Sequence, residues 1–121
     1  MAWDTASARH LAEAGEIDIV VPAPDRPEVR TPIWIVAVDG DLYVRSWKGH
    51  AGIWFRRAHR YGTGSVVAAG QRHEVRFTAA DDPDLNARID DVYRSKYGRS
   101  SYTQTMTRPP ATATTMRVDP A

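Results

Sequence analysis

An apolar, β-branched run from Thr31 to Val38 stops at Asp39-Gly40-Asp41 and resumes from Leu42 to Arg45. Asp-Gly between two such runs is a strong hairpin signal, because a two-residue turn that matches strand twist needs positive φ at its centre. A second hairpin is expected where Ser65–Ala69 and His73–Thr78 flank Gly70-Gln71. Ahead of both, Ile17, Ile19 and Val21 alternate along Glu16–Val21, the period of a half-buried strand. Adding a last strand over 112–118, with Met116 and Val118 on one face, gives about six strands, most of them paired antiparallel. A sheet of this kind with few helices is expected to close or nearly close on itself, since closure removes exposed edges.

The remaining segments fit around that sheet. Helix formers between Asp4 and Glu13 predict an amphipathic helix over 4–14 that stops at Gly15, ahead of a barrel core over 16–78. Pro22, Pro24 and Pro27 mark Pro22–Glu28 as a loop. Ile53–Arg60 reads as one or two helical turns carrying Trp54 and Phe55 inward. Asp81-Asp82-Pro83-Asp84 supplies an N-cap and acidic first turn for a helix over 84–97, with Gly98 as its stop. Ser100–Pro110 is polar and proline-tipped. The expected fold class is α+β, one domain over 1–121.

Composition narrows function by exclusion. Sixteen Lys and Arg against fifteen Asp and Glu leave a net charge of +1, so no global field favours nucleic acid or an acidic membrane. Without cysteine, disulfides, thiolate metal sites and thiol nucleophiles are excluded. No apolar run reaches the ~18 residues of a membrane helix, and the first residues lack a basic segment followed by an apolar core, so a cytoplasmic location is expected. His50, His59 and His73 match no tight metal spacing, and no metal is expected. Gly62-Thr63-Gly64-Ser65 is neither a nucleophile elbow nor a dinucleotide fingerprint.

Chemistry concentrates at one end of the central hairpin. Arg30 and Thr31 begin its first strand, while Arg45, Ser46 and Lys48 end its second, and an antiparallel pair brings those positions together. Converging cations and hydroxyls suit a phosphate or carboxylate; the competing reading is a solvated rim. Trp47, in a glycine-bearing loop beside Lys48, and Trp54 are candidates to wall a flat aromatic ligand. Trp34 alternates with Ile33 and Ile35 and is expected in a core or an interface. Arg56, Arg57 and Arg60 either extend the cationic rim or form a solvated helix face.

Several of these motifs carry a family likeness. Arg30-Thr31-Pro32-Ile33-Trp34, Asp41-Leu42-Tyr43-Val44-Arg45-Ser46-Trp47-Lys48-Gly49 and Trp54-Phe55-Arg56 resemble the bacterial domain-of-unknown-function 2255 family, as do Asp81-Asp82-Pro83, Tyr93-Arg94-Ser95-Lys96-Tyr97-Gly98 and Thr114-Thr115-Met116-Arg117. That family is similar to pyridoxamine-phosphate-oxidase-like split barrels, especially the deazaflavin-dependent nitroreductases. Relative to the latter, the arginine here abuts the threonine, Lys48 replaces a glycine, and no Asn-Leu follows Trp54. The resemblance implies a six-stranded, mostly antiparallel split β-barrel with flanking helices, forming a homodimer. It also implies an oxidoreductase using FMN or a 5-deazaflavin, held by Arg30, Thr31, Arg45, Ser46, Lys48, Trp47 and Trp54.

Two other readings stay open from the residues. One is a cofactor-free enzyme or binder of a small anionic or aromatic molecule in secondary metabolism, with His50 or Tyr43 moving a proton. The other is a non-enzymatic dimeric module. Split barrels host several functions, so fold alone does not choose among them.

Overall fold

The computed structural model describes residues 2–121. In chain order its elements are α1 (Thr5–Glu13), β1 (Ile17–Ala23), β2 (Arg26–Ile33), β3 (Val36–Val38), β4 (Asp41–Val44), α2 (Ile53–Tyr61), β5 (Thr63–Ala68), β6 (Gln71–Ala79), α3 (Pro83–Tyr97), α4 (Ser101–Met106) and β7 (Met116–Pro120), with short 3-10 turns at Gly49–Ala51 and Ala111–Thr114. All seven strands join one sheet in the order β2-β1-β5-β6-β7-β4-β3, antiparallel at every pairing. No helix among the described residues is long and apolar enough to cross a membrane.

That order forces curvature. β2 and β3 sit at opposite edges of the sheet, yet only Trp34 and Ile35 separate them in the chain. Three Cα steps from Ile33 to Val36 reach at most about 11 Å, whereas a flat seven-stranded sheet would hold its edges about 29 Å apart at ~4.8 Å per strand. The sheet therefore rolls until its edges meet, and the barrel is split where β2 and β3 do not pair. Inside lies an apolar cluster including Ile17, Ile19, Ile33, Leu42, Trp54, Val66, Val75 and Val118. Outside, Val36, Val38 and Tyr43 pack against Ile89, Tyr93 and Met106 of α3 and α4.

The expected boundaries shift in three places. The proline-rich stretch read as a loop is the β1–β2 hairpin, tipped by Asp25 at φ 60° and bulged between Val21 and Ala23. Pro27 and Pro32 are tolerated because β2 is an edge strand that needs fewer N–H donors. The long strand expected over Thr31–Val38 is two strands bent at Trp34-Ile35, which raises the strand count from six to seven. Ser100–Pro110 contains α4, capped by Ser100 Oγ, which accepts the Thr103 N–H at 3.2 Å, and the final strand begins only at Met116. Elsewhere the turn chemistry sets the register: Asp39 (φ 52°) and Gly40 (φ 84°) form the tight turn that pairs Val38 with Asp41.

Two polar clamps hold helices to this sheet. Ile35 is fully buried at the seam, where no neighbouring strand serves its backbone. The last turn of α3 serves it instead: Tyr97 Oη accepts the Ile35 N–H at 3.3 Å, and Lys96 Nζ donates to the Ile35 carbonyl at 2.6 Å and to Ala12 O at 2.9 Å. Tyr97 also donates to Gly15 O at 2.9 Å, which ties the α1–β1 junction to the same point.

The second clamp is Arg45, fully buried at the end of β4. A guanidinium has five N–H donors, and each finds an acceptor: Nε meets Thr115 Oγ1 at 2.8 Å, Nη1 meets Asp90 Oδ1 at 2.5 Å and Met106 O at 2.9 Å, and Nη2 meets Asn86 Oδ1 at 2.9 Å and Asn86 O at 3.3 Å. Its plane also lies 5.3 Å from the Tyr93 ring centroid. One side chain thus fastens α3, α4 and the approach to β7 to the sheet.

Replacing Arg45 with Met should cost about 3–5 kcal/mol in denaturant unfolding, since removing one partner leaves buried acceptors uncompensated; a loss under about 1 kcal/mol would contradict this clamp. A second prediction concerns pH. Burial lowers the Lys96 pKa to about 8 from an ordinary value of 10.5. Above pH 8 the folded chain has released a proton that the unfolded chain keeps, so this group's contribution to stability rises from pH 8 toward 10.5. Comparing unfolding free energies at pH 7.5 and 9.5, the wild type should gain relative to Lys96→Met; an unchanged difference would refute the assignment.

Candidate functional site

The seam opens into a cleft of about 260 Å³ between β2 and the segment that runs from the end of β4 into α2. Thr31 and Ile33 wall one side; Ser46, Trp47, Lys48 and Trp54 wall the other, with Tyr102 of α4 at the mouth. Rolling of the barrel, not hairpin pairing, brings Thr31 opposite Ser46, because β2 pairs with β1 and β4 pairs with β3 and β7. Val29, Thr31 and Ile33 share the face of β2 that looks inward, opposite Val21, Ile19 and Ile17 of β1.

The loop from Ser46 to Gly52 is shaped by close approach. A Cβ on Gly52 would sit 2.5 Å from Ser46 Oγ, and one on Gly49 would sit 2.7 Å from the Pro110 ring. Only glycine fits either place. Ser46 is anchored through its backbone, whose N–H donates to Thr114 Oγ1 at 2.8 Å. Its own hydroxyl makes no hydrogen bond among the described residues and lies on the cleft wall. Beyond it Trp47 is 46% exposed and lies 5.7 Å from Tyr102 at an interplanar angle of 13°. Lys48 is exposed at the rim. Trp54 lines the cleft although it is almost wholly buried among core residues.

Three expected site residues stand elsewhere, and a fourth is spent within the fold. Arg30 points to the other face of β2 and pairs with Asp18, Nε to Oδ2 at 2.8 Å, so strand alternation removes it from the cleft. Arg45 is among the residues that line the cleft, but all five of its donors are spent inside the fold. Tyr43 is buried against α3, and that burial raises its phenol pKa above 10, which makes it a packing group rather than a proton shuttle. His50 sits on the 3-10 turn with its ring edge-on to Phe55 at 5.4 Å, outside the cleft lining. Of the expected cations, Arg45 and Lys48 line the cleft, and of these two only Lys48 has its donors free among the described residues.

Trp34 is covered within the chain, stacked on Tyr97 at 3.8 Å and 1°. Tyr102 and the half-exposed Ile53 are cleft residues that the sequence reading passed over. Tyr102 was hidden in a polar stretch whose Ser100-x-x-Thr103 cap is the one local sign of a helix. Ile53 carries no such sign.

Comparison with solved structures places the architecture. HutZ, the heme storage protein of Vibrio cholerae, aligns over 100% of this chain and 92% of its own with a TM-score of 0.73 at 10% identity. ChuZ of Campylobacter jejuni aligns over 94% of this chain with a TM-score of 0.71 at 8% identity, and this chain spans 50% of its length. An FAD-binding protein of Mesorhizobium loti aligns over 96% of this chain and 87% of its own, with a TM-score of 0.56 at 16% identity. At such identities the likeness is one of fold, a split β-barrel. No curated protein matches the sequence. Residues 8–118 match the family described as uncharacterized proteins conserved in bacteria, domain of unknown function 2255, and with most of the chain so matched the protein belongs to that family.

Proposed function

We propose that this protein binds a flat, anionic aromatic molecule of the flavin or 5-deazaflavin class in the cleft between β2 and the Ser46–Trp54 segment. The observation that carries the reading is the pairing of Trp47 and Tyr102, two exposed aromatic rings nearly parallel at the mouth of a cleft whose wall holds a hydroxyl, that of Ser46, without a partner among the described residues. Exposed aromatic faces beside unspent donors are what a stacked heterocycle with peripheral oxygens requires. A volume of about 260 Å³ lies just under the ~300–1,000 Å³ of typical ligand sites. It suits a ring system rather than an entire cofactor.

The donor set fits such a group. Thr31 and Ser46 hydroxyls would hold ring oxygens or nitrogens, the Lys48 ammonium would complement an anionic substituent, and Trp47, Ile33 and Trp54 would supply apolar contact to the ring. A bound flavin or deazaflavin supplies hydride or electron transfer. The chain's own part in an oxidoreductase would be to orient the ring and keep water from its buried edge. Proton transfer by His50 or Tyr43 is not supported, since neither lines the cleft.

A homodimer is favoured by a separate observation. Trp47, Ile53, Tyr61 and Tyr102 are the exposed large apolar side chains among the described residues, and three of them border the cleft. A second copy covering that patch would bury the open side of the site. Sedimentation at micromolar concentration should give the mass of two chains.

Titration with FMN and with a 5-deazaflavin, followed by Trp fluorescence and cofactor absorbance, should give micromolar affinity for at least one. Trp47→Ala should weaken it about three- to tenfold, the 0.5–1.5 kcal/mol of one aromatic stack. Absence of saturable binding to both would end this reading.

A further inference from the structure

Next to the cleft, and sharing Val29 and Ile53 with it, runs a second groove of about 470 Å³. It is lined by Arg26, Arg56, Arg57, Arg60 and Tyr61, and no Asp or Glu lines it. Four of the sixteen Lys and Arg side chains of a nearly neutral protein therefore gather in one depression. Among the described residues none of the four makes an ion pair with a carboxylate.

The arrangement follows from helix periodicity. Ile53, Arg56, Arg57, Arg60 and Tyr61 recur at three- and four-residue spacing and so share one face of α2. Arg26 faces them from the tip of the β1–β2 hairpin. Arg57 is already positioned, with Nη1 donating to Val21 O at 3.1 Å and Pro27 O at 2.8 Å, which leaves Nε and Nη2 for another acceptor. Arg60 lies over the Tyr61 ring at 5.4 Å, which orients its guanidinium plane. Like charges at helical i, i+4 spacing, such as Arg56 and Arg60, repel in the free protein. An anion bound between them relieves that repulsion.

We infer that this groove is an oxyanion site for the charged tail of the molecule whose ring occupies the cleft. The tail inference rests on the proposed aromatic cleft; the anion site itself rests on the arginines alone. At ~1.5 Å rise per residue, Arg56 stands about 4–5 Å and Arg60 about 10–11 Å along the helix from Ile53. Two anionic groups a few ångströms apart, as in a diphosphate or a phosphodiester next to carboxylates, match that span. Guanidinium groups accept either chemistry through paired N–H donors. The site also accounts for the cleft's small volume and its lone rim cation, since the ligand's main charge is met outside it.

The test is calorimetric titration of the full chain at low ionic strength with inorganic pyrophosphate and, separately, with citrate. At least one should bind saturably with a dissociation constant below 1 mM, and the tighter of the two tells whether the tail is phosphate or carboxylate. Arg56→Gln/Arg60→Gln should weaken that binding tenfold or more with little change in melting temperature, and Arg26→Gln should weaken it less. Trp47→Ala, in the cleft, should leave it unchanged, so loss of flavin binding and loss of anion binding are read apart. No saturable binding of either anion, or binding indifferent to the arginine substitutions, would overturn the inference.

Discussion

Two residues, Trp34 and Ile35, join strands that lie at opposite edges of a seven-stranded sheet, and that tether governs the molecule. It bends the sheet into a barrel, leaves one seam unpaired, and strands a buried backbone amide and carbonyl at Ile35. An orphaned buried amide costs about 1–3 kcal/mol, so the seam needs polar partners from outside the sheet. Lys96 and Tyr97 provide them, which fixes the C-terminal end of α3 against the barrel and draws the α1–β1 junction to the same place. The other end of α3 is held through Asn86 and Asp90 to Arg45. The helix thus bridges the split along its length.

The cleft is the other consequence of the seam. Where β2 parts from its would-be neighbour, its inward residues face the loop that follows β4 rather than another strand. Glycines at 49 and 52 let that loop press against Pro110 and Ser46, and Trp47 is left outside with one face free. Charge is distributed in the same economical way. Arg45 and Arg30 form ion pairs within the fold, while among the described residues the arginines of α2 and Arg26, beside the cleft, pair with no carboxylate.

The sequence made the hairpin at Asp39-Gly40, the turn at Gly70 and the cap at Asp82 legible, because each is a local signal with a local cause. It misled where tertiary context decides. Prolines 22, 24 and 27 read as a loop, yet a bulge, a tight turn and an edge strand accommodate them in that order. Trp34 lies within an unbroken apolar run, and nothing local marks the bend that splits the strand. At the site, Thr31 and Ser46 were expected to meet through hairpin pairing, whereas barrel closure brings them together, and the arginines beside them are engaged by Asp18 and by the acceptors around Arg45. Whether a guanidinium faces a ligand or five internal acceptors depends on Asn86, Asp90, Met106 and Thr115, forty or more residues away from Arg45. The α2 arginines were visible as a helical cluster, but only the position of Arg26 and the absence of facing carboxylates distinguish a groove from a solvated face.

Where a ligand lands on the barrel separates binding at the seam from binding anywhere else. Amide hydrogen exchange of the protein with saturating FMN or 5-deazaflavin should show new protection at residues 29–33 and 45–54, extending to Arg26 and residues 56–61 where the tail reaches the second groove, with a smaller effect near Tyr102. Protection absent from both segments, or appearing only on the far side of the barrel, would contradict the account.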